Sequence, residues 1–172
     1  CTSLTSVVIG DGLATLPKDA FKGCTSLQNV TIGSAVTSWD ATAFSGCGAI
    51  TTLNLRTPLV AEAGSGTNQA STFLRKYLSA SASKVQHLTL GGEVTSIGEL
   101  AFWLASGLKS VTILDSVTTL GYAPFLTCRK LETLVLPDSV TTLGVHQGIS
   151  RLCDGCTSLT SVVIGDGLAT LP

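Results

Sequence analysis

"CTSLTSVVIGDGLATLPKDAFKG" runs from Cys1 to Gly23, and "CTSLQNVTIGSAVTSWDATAFSG" follows at once from Cys24 to Gly46. Set one under the other, the two stretches agree in every apolar column. The fourth, seventh and ninth positions read Leu4/Val7/Ile9 and Leu27/Val30/Ile32. Val7 and Ile9 alternate with Val8, which assigns a short strand with the eighth position facing out. A Gly/Asp/Ser turn follows, as in Gly10-Asp11-Gly12. A second apolar pair comes next (Leu13/Leu16, Val36/Trp39), and a small residue with Phe closes each stretch at Ala20-Phe21 and Ala43-Phe44.

Working outward, the pattern restarts at Cys47, Ala82, Ala105, Cys128 and Cys156, with spacings from Cys1 of 23, 23, 35, 23, 23 and 28 residues. The inward columns continue as Val85/Leu88/Leu90 and Leu108/Val111/Ile113. The second pair continues as Val94/Ile97, Val117/Leu120 and Val140/Leu143, and the closing pair as Ala101-Phe102 and Pro124-Phe125. One coil of this kind cannot bury its apolar face alone, whereas a stack buries it continuously. The expectation is a single solenoid of about seven coils over residues 1–172, of leucine-rich-repeat type. It has one short parallel strand per coil and insertions near 60–81 and 145–152. In the first insertion Phe73, Leu74, Tyr77 and Leu78 stand at helical spacing, which predicts a turn or two of helix replacing the missing coil wall.

Three quoted stretches, "FKGCTSLQNVTI" at 21–32, "GELAF" at 98–102 and "LPDSVTTLG" at 136–144, resemble the leucine-rich repeats of the BspA-like surface proteins of bacteria and parasitic protists. The resemblance covers nearly the whole chain outside Val60–Ser81 and Val145–Asp154. It implies a right-handed solenoid, an extracellular or cell-surface setting and adhesive or host-contact roles, and it brings no catalytic residues with it.

Composition narrows the function classes. Hydrophobic residues make up 44% of the chain, charged residues 12%, and the formal net charge is −1. That balance gives no electrostatic reason to expect nucleic acid or an anionic membrane surface as partner. No apolar run reaches the roughly 18–20 residues that span a bilayer. The absence of Met and of a leader-like start reads as a mature or excised segment. No nucleophile–base pair, carboxylate pair or metal cluster emerges, so the expectation is a protein that is not an enzyme and has no cofactor.

Each candidate for chemistry has a plainer reading beside it. The Cys column (Cys1, Cys24, Cys47, Cys128, Cys156) admits Ala82 and Ala105 in the same phase, so it asks for a small buried residue rather than a thiolate. Cys153 and Cys156 form a C-x-x-C pair with neither the redox context nor the second ligand pair that such spacing needs. Cys153 stands where other coils place Phe and reads as a filler of that slot, with a local disulfide as the alternative. His87 and His146 read as solvated or partner-contacting. "GSGTNQA" at 64–70 lacks the Lys-Ser/Thr of a phosphate loop and reads as a connection. Asp11, Asp115, Asp138 and Asp166 read as turn residues, since a calcium ladder needs several oxygens per ion. Asn29-Val30-Thr31 is a glycosylation sequon with Asn29 outward.

Two surfaces remain as contact candidates. The outward strand positions, among them Thr31, Asn54, His87, Thr89 and Thr112, make a polar, nearly uncharged face suited to protein or glycan, or simply to solvent. Trp103, Tyr122, Leu126 and Val145 are expected to form an exposed apolar cluster for lateral contact.

Residues 156–172 repeat residues 1–17 at every position. The economical reading is a 155-residue super-repeat, with the protein itself as its own partner through tandem or head-to-tail stacking. Two functions follow: a structural rod or filament, or a surface adhesin binding host or matrix protein or glycan.

Overall fold

The computed structural model describes residues 1–62 and 72–172. Four-residue strands recur at the predicted phase: β1 (Ser6–Ile9), β3 (Asn29–Ile32), β5 (Thr52–Leu55), β6 (His87–Leu90), β8 (Ser110–Ile113), β10 (Thr133–Leu136) and β12 (Ser161–Ile164). All pair in parallel in the order β1-β3-β5-β6-β8-β10-β12, one strand per coil and without a register slip. β-Branched residues and strict alternation favour these strands. The buried positions Val7, Ile9, Val30, Ile32, Leu53, Leu55, Leu88 and Leu90 all turn the same way, into one core.

In most coils the expected strand has a shorter companion on a second wall. Among the described residues five coils carry a second, two-residue strand: β2 (Thr15–Leu16), β4 (Ser38–Trp39), β7 (Ser96–Ile97), β9 (Thr119–Leu120) and β11 (Thr142–Leu143). They form two parallel sheets, β2-β4 and β7-β9-β11, on the opposite wall. The break between the two falls at the first insertion. There a 3-10 turn at Pro58–Glu62 takes the strand's place, and Gly98 N–H donates to Val60 O at 3.0 Å. The buried Thr57 hydroxyl starts that turn by accepting from Leu59 N at 3.2 Å while donating to Val36 O. At the far end of the insertion buried Ser81 donates to Cys47 O and accepts from Ile50 N.

The expected helix is α1 (Phe73–Tyr77), with Phe73, Leu74 and Tyr77 buried. Its rings complete an aromatic column through the core. Phe21 stacks on Phe44 at 5.1 Å, and Trp39 bridges Phe44 (5.4 Å), Phe73 (5.6 Å) and Tyr77 (4.8 Å). Phe73 then meets Phe102 at 6.1 Å, and Phe102 stacks on Phe125 at 5.8 Å. The insertion thus supplies the ring that its coil would otherwise lack.

One core assignment fails: Leu13 is 43% exposed, whereas Val36, Val94, Val117 and Val140 in its column are buried. Coil 1 is stacked on one side only, and this column is covered from the other side.

Candidate functional site

Parallel register turns the outward residues into rows. Thr31, Asn54, Thr89 and Thr112 pair in sequence along one row, and Asn29, Thr52, His87 and Ser110 along the next. His87 is exposed, and its Nδ1 lies 2.8 Å from Ser110 Oγ. Thr112 and Asn29 are exposed, while Thr31, Asn54 and Thr89 are half-buried by their neighbours in the row. Val8, Val135 and Val163 bracket the polar row. The proposed ligand-face residues therefore share one face.

The lateral cluster is rearranged. Trp103, Tyr122 and Leu126 are half-buried rather than exposed; only Val145 stands out, at 49%. The Tyr122 ring is covered by His146, 5.7 Å away. His146 belongs to a tight turn in which His146 and Ile149 exchange backbone hydrogen bonds at 3.0 and 3.1 Å. Gln147 and Gly148 at its tip both have positive φ (52° and 82°), the backbone of a type I′ turn. Ile149, which sequence reasoning passed over, is 53% exposed and joins Val145 on this projection.

The cysteines pack as the Ala-or-Cys column implies. Cys24, Cys47, Cys128 and Cys156 are buried, Cys153 is half-buried against the core, and all six are free thiols, Cys153 and Cys156 included. The thiols also satisfy main chain: Cys47 Sγ donates to Phe21 O (3.0 Å), Cys128 Sγ to Phe102 O (3.3 Å) and Cys156 Sγ to Phe125 O (3.2 Å). Burial pushes the Cys47 and Cys153 thiols up from the ordinary range. Cys128 is held well up by its hydrogen bond with the Cys156 thiol and by burial. For Cys47, Cys128 and Cys153 these are poor conditions for a thiolate nucleophile or metal ligand, whereas the hydrogen bond with Cys128 lowers the Cys156 thiol, which is itself buried. In the folded protein an alkylating reagent is expected to modify exposed Cys1 rapidly, and Cys24, Cys47 and Cys128 only at the rate of unfolding. Mass mapping of labelled peptides over time checks this, and fast labelling of Cys128 would contradict the packing.

The aspartates tie coils together. Asp11 Oδ1 accepts from Ser34 N (2.7 Å) and Ser34 Oγ (2.8 Å) one coil on, and Asp138 Oδ1 accepts from Asp166 N (2.9 Å). The Ser34 hydrogen bonds, backbone first, lower the Asp11 carboxyl, with Arg56 adding at 3.1 Å. The "GSGTNQA" stretch lies outside the described residues. Among the described residues no group of three or more His, Cys, Asp or Glu is placed to hold a metal ion, and no helix is long and apolar enough to cross a membrane.

One concavity was not legible in any single sequence column. It is a cleft of about 290 Å³ at the strand entrances, lined by Thr51, Ser83, Lys84, Gln86, Gly107, Lys109 and Lys130.

One family model, described as a BspA type leucine-rich repeat region, matches the chain in six copies over residues 1–77 and 72–172. No curated protein matches. Among solved structures, a leucine-rich repeat protein from Bacteroides ovatus ATCC 8483 is 18% identical, with 97% of this chain and 56% of that one covered and a TM-score of 0.48. The pneumococcal vaccine antigen PcpA is 18% identical over 98% of this chain and 53% of its own, with a TM-score of 0.48. A leucine rich cell surface protein from Faecalibacterium prausnitzii A2-165 is 17% identical over 95% and 60%, with a TM-score of 0.36. The chain spans little more than half the length of these structures.

Proposed function

The chain belongs to the BspA-type leucine-rich-repeat family, and from that premise we propose that it is a non-enzymatic surface or interaction module built as one unit of a stacking rod. The carrying observation is the behaviour of one seventeen-residue sequence in two places. In coil 1 it has a neighbour only on its far side, and in coil 7 only on its near side.

With the far neighbour present, Val7 is 8% and Leu16 1% exposed; without it, the same residues in coil 7, Val162 and Leu171, are 42% and 63% exposed. The near side behaves in reverse. A Cβ added at Gly12 would meet nothing within 4 Å, whereas at Gly167, its equivalent, it would lie 2.0 Å from Asp138 O. Gly10 is likewise open, and a Cβ at its equivalent Gly165 would lie 2.5 Å from Asp138 N. The sequence is thus fitted on both faces, and each copy uses one. Coil 7 of one unit serving as coil 1 of the next satisfies both, with an axial advance of about 29 Å for six coils.

A chain lengthened by one unit, with residues 18–172 repeated after residue 172, is expected to unfold in one cooperative transition above the melting temperature of the single unit. Its largest dimension in small-angle scattering should grow by about 29 Å. Two independent transitions, or a flexible pair of beads in scattering, would count against the rod.

The second reading, a ligand-binding surface module in an extracellular or cell-surface setting, is favoured by the polar rows of Thr31, Asn54, His87, Thr89 and Thr112. Host or matrix protein or glycan is the class of partner it implies. The family supports both readings, and one solenoid accommodates both.

A further inference from the structure

The cleft at the strand entrances stands apart from both stacking faces, and its lining is chemically one-sided. Lys84, Lys109 and Lys130 come from three successive coils, spaced 25 and 21 residues apart around the 23-residue period. They account for three of the ten basic residues of a chain whose net charge is −1. No carboxylate lines the cleft. Among the described residues the ion pairs are Lys22–Asp19, Arg56–Asp11 and Arg151–Asp154, so none of the three lysines has an acidic partner there. Lys84 is fixed by donating to Gly48 O at 2.7 Å, while Lys109 and Lys130 are exposed.

The cleft lies over a close approach of two coils. At Gly107 the chain passes so close to the preceding coil that a Cβ would lie 2.2 Å from Ser83 O and 3.0 Å from Val85 O. The glycine lets the two main chains meet there, and Lys84, Lys109 and Lys130 line the cleft beside them. Glu132 stands one coil beyond Lys109, and its N–H donates to Lys109 O at 3.0 Å. It lies outside the lining.

A concavity lined by one sign of charge focuses potential and recruits the opposite sign. The remaining lining groups, Thr51, Ser83 and Gln86, are hydroxyls and an amide. With no aromatic ring there is no platform for stacking a nucleotide base, and with no apolar pocket there is no seat for a protein anchor. The adjoining strand rows of Thr52, Asn54, His87 and Thr89 continue the same neutral hydrogen-bonding chemistry. We infer that this cleft binds an anionic polysaccharide. Lys84, Lys109 and Lys130 take its sulfate or carboxylate groups, and Thr51, Ser83 and Gln86 take the sugar hydroxyls. The three lysines span two coil steps, roughly 10 Å, so consecutive acidic groups of one extended chain can be held together. This inference is independent of the rod, since the cleft is complete within one unit.

The test is calorimetric titration of the full chain with heparin as the sulfated probe, polygalacturonate as the carboxylated one and dextran as the neutral one. Heparin or polygalacturonate should bind with an affinity that falls as salt rises, and dextran should not bind. Whichever of the two binds more tightly identifies the acidic group. The double variant Lys109→Glu/Lys130→Glu should weaken binding about tenfold or more, with an unchanged melting curve. The charge-matched Lys18→Glu/Lys22→Glu variant, altered outside the lining, should bind as the parent does. The inference is overturned if neither polyanion binds or if the two double variants lose affinity equally. Polyglutamate binding as tightly, with the same dependence on Lys109 and Lys130, would also overturn it by making the cleft an acidic-peptide site.

Discussion

Phe102→Ala is expected to cost the folded chain about 3–5 kcal/mol, the upper range for truncating a core aromatic. Phe102 is fully buried, with one ring of the column on each side: Phe125 at 5.8 Å, nearly parallel at 8°, and Phe73 at 6.1 Å. Large cavities cost most where the surroundings cannot close on them. Here they cannot, because Phe102 N donates to Pro124 O at 2.9 Å and Phe73 N to Ala101 O at 2.8 Å, pinning the coil spacing on both sides. In a stack where each coil contacts only its neighbours, damage at an interior coil weakens two interfaces at once. Urea denaturation checks the loss. Phe21→Ala, at the half-buried end of the column where one face is already free, should lose distinctly less. Equal losses at Phe102 and Phe21 would show that the column does not act as a continuous stack.

That column also marks the boundary of what the sequence disclosed. The 23-residue period, the inward strand residues and the Ala-or-Cys column were legible because each recurs at one phase, and recurrence across coils outweighs the ambiguity of any single coil. The strands β2, β4, β7, β9 and β11 were not, since two residues cannot display a period of two. Helical spacing found α1, but that Phe73 enters the Phe column is a tertiary fact, produced by an insertion that has no phase of its own. Trp103 shares its coil position with Lys22 and Ser45, polar residues whose type alone predicts an exposed site. Only Lys22 is exposed; Ser45, Leu126 and Trp103 are each half-covered. The cleft escaped because its lysines occupy the third and fifth positions of different coils, and a reading by columns separates residues that the fold brings together.

Gly121→Ala is expected to destabilise by about 3 kcal/mol, as overpacking against atoms that cannot retreat. The methyl would lie 2.5 Å from Glu99 N and 2.7 Å from Gly98 C, both main-chain atoms of the preceding coil. Retreat is blocked because Gly121 N donates to Ile97 O at 2.7 Å, and Gly144 N donates to Leu120 O at 2.6 Å from the coil beyond. Gly144→Ala faces the same obstacle, 2.5 Å from Tyr122 N and 2.6 Å from Gly121 C. As adjacent steps of one stack the two changes should combine non-additively. Gly12→Ala supplies the contrast, since its methyl meets nothing within 4 Å, and should stay within about 0.5 kcal/mol of the parent. Gly167→Ala, the same change in the same seventeen-residue sequence, should destabilise because Asp138 O lies 2.0 Å from the new atom. Thermal melts of the four single variants separate these cases. If Gly12→Ala and Gly167→Ala behave alike, the two copies are not the two faces of one stacked coil, and the rod loses its principal support. If they differ as expected, a lengthened chain carrying the Gly→Ala change at the Gly167 junction should be weakened at the seam between units.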